Sequence, residues 1–269
     1  MLLTLAFAIS IVQQGSTAEE KNNYRGPESL SHAIADGKWA RVTELLGEIK
    51  AENRKFPVGS IAGLMNGRIA SDTYYANILT GIRLLNEAGD NVNAVNGYAL
   101  FLAAGGDKHG QIIERLLQYG ADPNRPYFNP DYNNAKGNEG IPPLGEAIID
   151  TNVKLLLKYG AKPNVFFPFE SGYRPVFKGH VTPLIRSVII GPRPSVTKLL
   201  LDGKANPNLK CPENGMTALH FAAQYNFDTL IPVLLKAKAD KKLKDKNGRT
   251  PLALARKYKS VKAIKMLGG

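Results

Sequence analysis

A chain of 269 residues with 43% hydrophobic and 22% charged side chains can bury a large core or divide into two domains, and its composition excludes a disordered chain. The single cysteine, Cys211, excludes an intramolecular disulfide, so stability has to come from packing. The formal charge of +12 is uneven: residues 236–269 hold twelve Lys and Arg against Asp240 and Asp245, which leaves about +2 for everything before them.

From the N-terminus, residues 1–18 carry no charged side chain, and Leu2 to Val12 form an apolar run of eleven. As a helix that run spans about 16 Å, too short for a hydrocarbon core of about 30 Å. Ser16-Thr17-Ala18 then places small residues ahead of Glu19-Glu20-Lys21. The segment 1–18 reads as a cleaved secretory signal with 19–27 as a short linker. No Cys follows it, so no lipid is attached, and the expected location is the periplasm. The only positive group ahead of the run is the α-amino group of Met1, and a buried N-terminal helix is the alternative.

The rest of the chain repeats itself. "RLLQYGADPN" (115–124), "LLLKYGAKPN" (155–164), "KLLLDGKANPN" (198–208) and "PVLLKAKADKK" (232–242) each join a Leu-Leu helix end to a turn, and "RLLNEAGDNVN" (83–93) is a looser version. Ahead of them stand "GYALFLAAGG" (97–106), "GIPPLGEAII" (140–149), "HVTPLIRSVI" (180–189), "NGMTALHFAAQYN" (214–226) and "NGRTPLALARKY" (247–258). Thr-Pro opens a helix, because Pro at the first helical position gives up no needed hydrogen bond. Ala103-Ala104 and Ala222-Ala223 let helices approach closely, and the leucine pairs form a stripe that one unit cannot bury alone. Gly120 and Gly160 stand where a left-handed C-cap is wanted, while Lys204 and Lys238 occupy that place in later units at some cost in local stability.

The pattern resembles the ankyrin repeat. The resemblance implies an all-α solenoid of about seven helix-turn-helix units at about 28–54, 55–93, 94–124, 125–164, 165–208, 209–242 and 243–269, with finger loops between units. The final asparagines at 93, 124, 164 and 208 are spaced by 31, 40 and 44, against a family period of about 33. Two insertions therefore fall at 125–140 and 165–180. Together they hold eight of the chain's twenty-one Phe and Tyr: Tyr127, Phe128, Tyr132, Phe166, Phe167, Phe169, Tyr173 and Phe177, with Arg174 among them. A disordered loop would be poor in aromatics, so these residues read as a protein-binding surface. Rings folded back over exposed helix edges are the alternative.

No catalytic constellation accompanies the repeats. His32, His109, His180 and His220 are dispersed over four units, and no metal pair, nucleophile elbow or phosphate loop is present in the sequence. No enzyme activity, metal or cofactor is expected. His220 in "TALHFAA" matches the family histidine that steadies adjacent turns. The basic end forms a candidate patch of Lys241, Lys242, Lys244, Lys246, Arg249, Lys257 and Lys259. It reads as a solvated cap or as a surface for an acidic protein, with an anionic membrane third and nucleic acid not expected.

The resemblance implies a protein-binding scaffold. An exported ankyrin protein with irregular repeats is also similar to the periplasmic immunity proteins that neutralise phospholipase (lipase) toxins delivered by type VI secretion. The competing expectations are a periplasmic scaffold supporting an oxidative-stress enzyme such as catalase, and a secreted effector that binds host proteins.

Overall fold

The computed structural model describes residues 30–51, 72–107, 109–128, 140–171 and 177–268. The expected signal and linker, and the first part of the expected unit 55–93, lie outside them. The chain divides into two compact units between Asn138 and Glu139.

The N-terminal unit holds α1 (Leu30–Ala35), α2 (Trp39–Ala51), α3 (Asp72–Glu87), α4 (Ala94–Gly105) and α5 (Gly110–Gln118), with α3 packed on α1 and α5. Ile78, Ile82, Leu85, Ala103, Ala104, Ile112, Ile113 and Leu116 are wholly buried and make its core. Asn77 of α3 donates its side-chain N–H to the carbonyl of Ala35 at 3.1 Å, tying α3 to the end of α1.

The C-terminal unit runs α6 (Pro143–Glu146), α7 (Asp150–Lys158), β1 (Phe167–Glu170), β2 (Lys178–Val181), α8 (Pro183–Ile189), α9 (Pro194–Asp202), α10 (Ala218–Gln224), α11 (Leu230–Lys236), α12 (Pro251–Lys257) and α13 (Val261–Leu267). The first helices of its pairs pack in a row, α6 to α8 to α10 to α12, and the second helices in another, α7 to α9 to α11 to α13. Thr182 and Thr250 cap α8 and α12 by accepting from the N–H of Ile185 (3.3 Å) and Ala253 (3.2 Å), with Pro at the next position, as Thr-Pro led us to expect. In α10, Leu219, Ala222 and Ala223 are fully buried between α8 and α12. Of each Leu-Leu pair the first member is core: Leu116, Leu156, Leu200 and Leu234 are all at or below 1% exposure. Each contributes about 1.5–3 kcal/mol by leaving water.

The helix ends share one geometry. Gly120 (φ +87°) and Gly160 (φ +88°) close α5 and α7 in the left-handed region, and Lys204 (φ +71°) and Lys238 (φ +64°) take the same conformation after α9 and α11. The next residue bonds back across the cap: Ala121 N–H to Leu116 O, Ala161 to Leu156, Ala205 to Leu200 and Ala239 to Leu234, at 2.9 to 3.0 Å.

The finger loop expected at 165–180 is built on a hairpin. β1 and β2 pair antiparallel in the register Phe167 to Val181, Pro168 to His180, Phe169 to Gly179 and Glu170 to Lys178. Phe and Val favour extended backbone, and Pro168 is tolerated because a two-stranded sheet has only edges.

Candidate protein-docking site

The aromatic residues separate by burial. Phe167 is 0% exposed, and its ring fills the space a side chain at Gly145 of α6 would need, 2.8 Å from an ideal Cβ. Phe177 is buried and meets Phe221 of α10 edge-on at 5.5 Å. In the N-terminal unit, Tyr127 is buried with its ring centroid 4.6 Å from Tyr98 and 4.8 Å from Phe101. For these three rings the surface reading is corrected: burying a large ring removes a large apolar area from water, and each has neighbours in the repeats to pack against, so they were drawn inward. Phe128, Phe166 and Phe169 are half-buried and reach the surface. Tyr132, Tyr173 and Arg174 lie outside the described residues.

The exposed part of the hairpin stands on a charged pair. Arg186 of α8 donates to the Glu146 backbone carbonyl at 3.1 Å and to its carboxylate at 3.0 Å, and its guanidinium lies 5.6 Å from the centroid of the Phe169 ring. Burial lowers the pKa of Arg186 and raises that of Glu146, each against the favourable charge of the other. The pair and the ring thus lock β1 to the inner helices.

The far strand is clamped by the neighbouring unit. His180 donates its backbone N–H to Glu213 Oε2 at 2.9 Å, and its ring Nδ1 lies 2.6 Å from Oε1. Partial burial opposes ionisation of Glu213, but these bonds to His180 outweigh it and hold the carboxyl below the usual range. Glu170 and Lys178 close the hairpin with an ion pair of 3.2 Å.

The basic residues fall into two places. Lys241, Lys242, Lys244 and Lys246 are exposed on the loop between α11 and α12, on the same edge as the hairpin. That edge is continuous: Lys246 N–H donates to Asn214 O at 2.9 Å and Lys210 Nζ to Lys244 O at 2.9 Å. Arg249 does not belong to a free patch, because its guanidinium is held by buried Asp245 at 2.7 and 2.8 Å. Lys257 and Lys259 are exposed at the opposite end of α12, so the seven residues do not form one cluster.

Three asparagines do structural work that the sequence reading used only as spacing. Asn93 donates to Gly120 O (2.9 Å) and accepts from Asp122 N–H (2.8 Å). Asn164 does the same to Lys204 O (3.0 Å) and Asn206 N–H (2.8 Å), and Asn208 to Lys238 O (3.2 Å) and Asp240 N–H (2.8 Å). The recurrence of Asn at the end of the turn was the available signal. Arg186, Glu146 and Glu213 had no such signal.

No reactive group stands out at this edge. Cys211 is buried, which with the charge of Glu213 pushes its thiol up to about 12, so it stays protonated at neutral pH. His220 is fully buried with both ring nitrogens engaged: Nδ1 faces the Thr217 hydroxyl at 2.8 Å and backbone N–H at 3.2 Å, and Nε2 the Arg249 carbonyl at 3.1 Å.

Comparison with known proteins supports the architecture. The family described as Ankyrin repeats (3 copies) matches residues 184–268. The human 2-5A-dependent ribonuclease is 44% identical over 63 residues, which is 23% of this chain and 8% of that enzyme. Among solved structures, the ankyrin repeat domain of Bcl-3, a member of the IkappaB protein family, superposes with a TM-score of 0.70 at 24% identity, covering 92% of this chain and 100% of that one. The likeness shows the fold: an ankyrin-repeat solenoid.

Proposed function

We propose that this ankyrin-repeat solenoid is a non-catalytic scaffold that docks a protein partner along the hairpin edge of its C-terminal unit. The observation that carries this is Phe169 on β1 and Phe166 just before it, both half-buried and reaching the surface beside a strand pair fixed by Phe167 beneath, Arg186 at the Phe169 ring, and Glu213 on His180. Aromatics held on a rigid frame supply contact area at little further loss of conformational freedom. The exposed lysines 241, 242, 244 and 246 along the same edge favour an acidic partner and speed its encounter.

In its finer form the proposal is an exported periplasmic immunity protein that covers the active-site entrance of a phospholipase toxin delivered by type VI secretion. The apolar run Leu2 to Val12 with Ser16-Thr17-Ala18 behind it, the aromatic hairpin and the basic edge support this reading. The test is a pull-down from the native organism's extract with the full chain and with a Phe166→Ala/Phe169→Ala variant, read by mass spectrometry. A stoichiometric lipase captured by the first and lost with the second is the expected result, and its hydrolysis of phospholipid should stop at one equivalent of added scaffold. Capture of catalase, or of host proteins, overturns the immunity reading but keeps the scaffold. Equal capture by both proteins overturns the hairpin as the docking edge.

A further inference from the structure

The outer end of the C-terminal unit exposes apolar side chains among cations. α13 turns Ala263 and Leu267 inward, while its opposite face shows Val261 at 73% exposure and Met266 at 41%, with Lys262 and Lys265 between them at helical spacing. Immediately before it, Tyr258 is 43% exposed in the turn from α12, flanked by Lys257 and Lys259. This turn is fastened to the preceding α10–α11 turn, where Ser260 Oγ donates to Gln224 O and Ala263 N–H to Asn226 Oδ1, both at 3.2 Å. Asp228 is the carboxylate in ion-pair reach of these cations among the described residues, and it is matched to Lys262 at 2.7 Å.

An exposed Val, Met and Tyr interleaved with lysines suits a phase boundary, where apolar side chains sit below the level of the charged heads. We propose that this end docks the protein on an anionic lipid bilayer, with Tyr258, Val261 and Met266 seated among the headgroups and Lys257, Lys259 and Lys265 against the lipid phosphates. The contact lies on the surface, since no helix among the described residues is long and apolar enough to cross a membrane. Three observations favour lipid over other occupants. A second copy of the chain brings the same dense positive charge and is repelled. The cations here flank isolated exposed apolar side chains rather than a rigid aromatic frame like that of the hairpin, which suits a diffuse anionic plane better than a shaped acidic protein. Nucleic acid satisfies the charge but offers little burial for Val261 and Met266.

Flotation of the full chain with vesicles tests this, using phosphatidylcholine alone and phosphatidylcholine with about one third phosphatidylglycerol. The expected result is binding to the anionic vesicles only, weakened by salt. Lys257→Glu/Lys259→Glu/Lys265→Glu should lower it by roughly a hundredfold or more, at about fivefold per lysine lost. Tyr258→Ser/Val261→Ser, which keeps the charge and alters exposed positions, should lower it by about tenfold or more. Unchanged circular dichroism in both variants shows that the fold survives. No binding to anionic vesicles, equal binding to neutral ones, or binding unaffected by either variant overturns the proposal. So does a charge variant that releases the protein while the apolar variant does not, or competition by an acidic polypeptide or an oligonucleotide at concentrations where vesicles fail to bind.

Discussion

The Asn164 carboxamide bonds a carbonyl and an N–H of the next turn. Asn164→Ala removes both contacts at a partly solvated place, and the expected loss is about 1–2 kcal/mol, read as a fall in the urea midpoint. The left-handed lysines run the other way. At φ +71° and +64°, Lys204 and Lys238 bear a strain that glycine does not, so Lys204→Gly or Lys238→Gly should stabilise by about 0.5–1 kcal/mol in the same measurement. His220 adds a pH dependence. Burial lowers its pKa below the usual 6.5, so on acidification the unfolded chain takes up a proton before the folded one does. Its stabilising effect is therefore complete above about pH 6.5 and is lost as pH falls from there through the lower folded value. His109, also lowered by burial, adds in the same direction. Urea midpoints at about pH 7.5 and 5.5 should differ, and the difference should shrink, without vanishing, in His220→Gln.

Among the elements the hairpin separates packing from binding. Phe167→Ala empties a fully buried site against Gly145 and should cost about 3–5 kcal/mol, whereas Phe166→Ala should shift thermal unfolding little. The helices were legible because their signals are local: Thr250-Pro251 caps, the leucine pairs place a stripe, and alignment of Lys204 with Gly120 foretells its backbone. The strands were not, since Pro168 between two phenylalanines argues against a strand unless the sheet has only edges. Nor does the sequence tell which rings turn inward: Phe166 and Phe167 are neighbours with opposite fates, decided by the space left at Gly145. The Glu146–Arg186 pair spans forty residues between two units of unequal length, and only the packing of α6 on α8 brings the two together.

On the scale of the whole molecule, charge is the quantity that can be read furthest from sequence, although its division between two edges cannot. That division depends on α12, which separates the loop of Lys241 to Lys246 ahead of it from Lys257 and Lys259 at its far end. Long-range steering depends on the sum, so association with an acidic partner should slow about tenfold or more between roughly 0.01 and 0.15 M salt, while dissociation changes little. Stopped-flow rates at two salt concentrations check this. The asparagine joint has a consequence of another kind, for how such a chain can change its length. Each carboxamide grips only backbone, and the same grip accepts Gly120 and Asp122, Lys204 and Asn206, or Lys238 and Asp240. A repeat can therefore be duplicated, dropped or exchanged without its neighbour having to co-adapt at the seam, and a finger can lengthen, as at 165–180, while the seam on either side stays as it was.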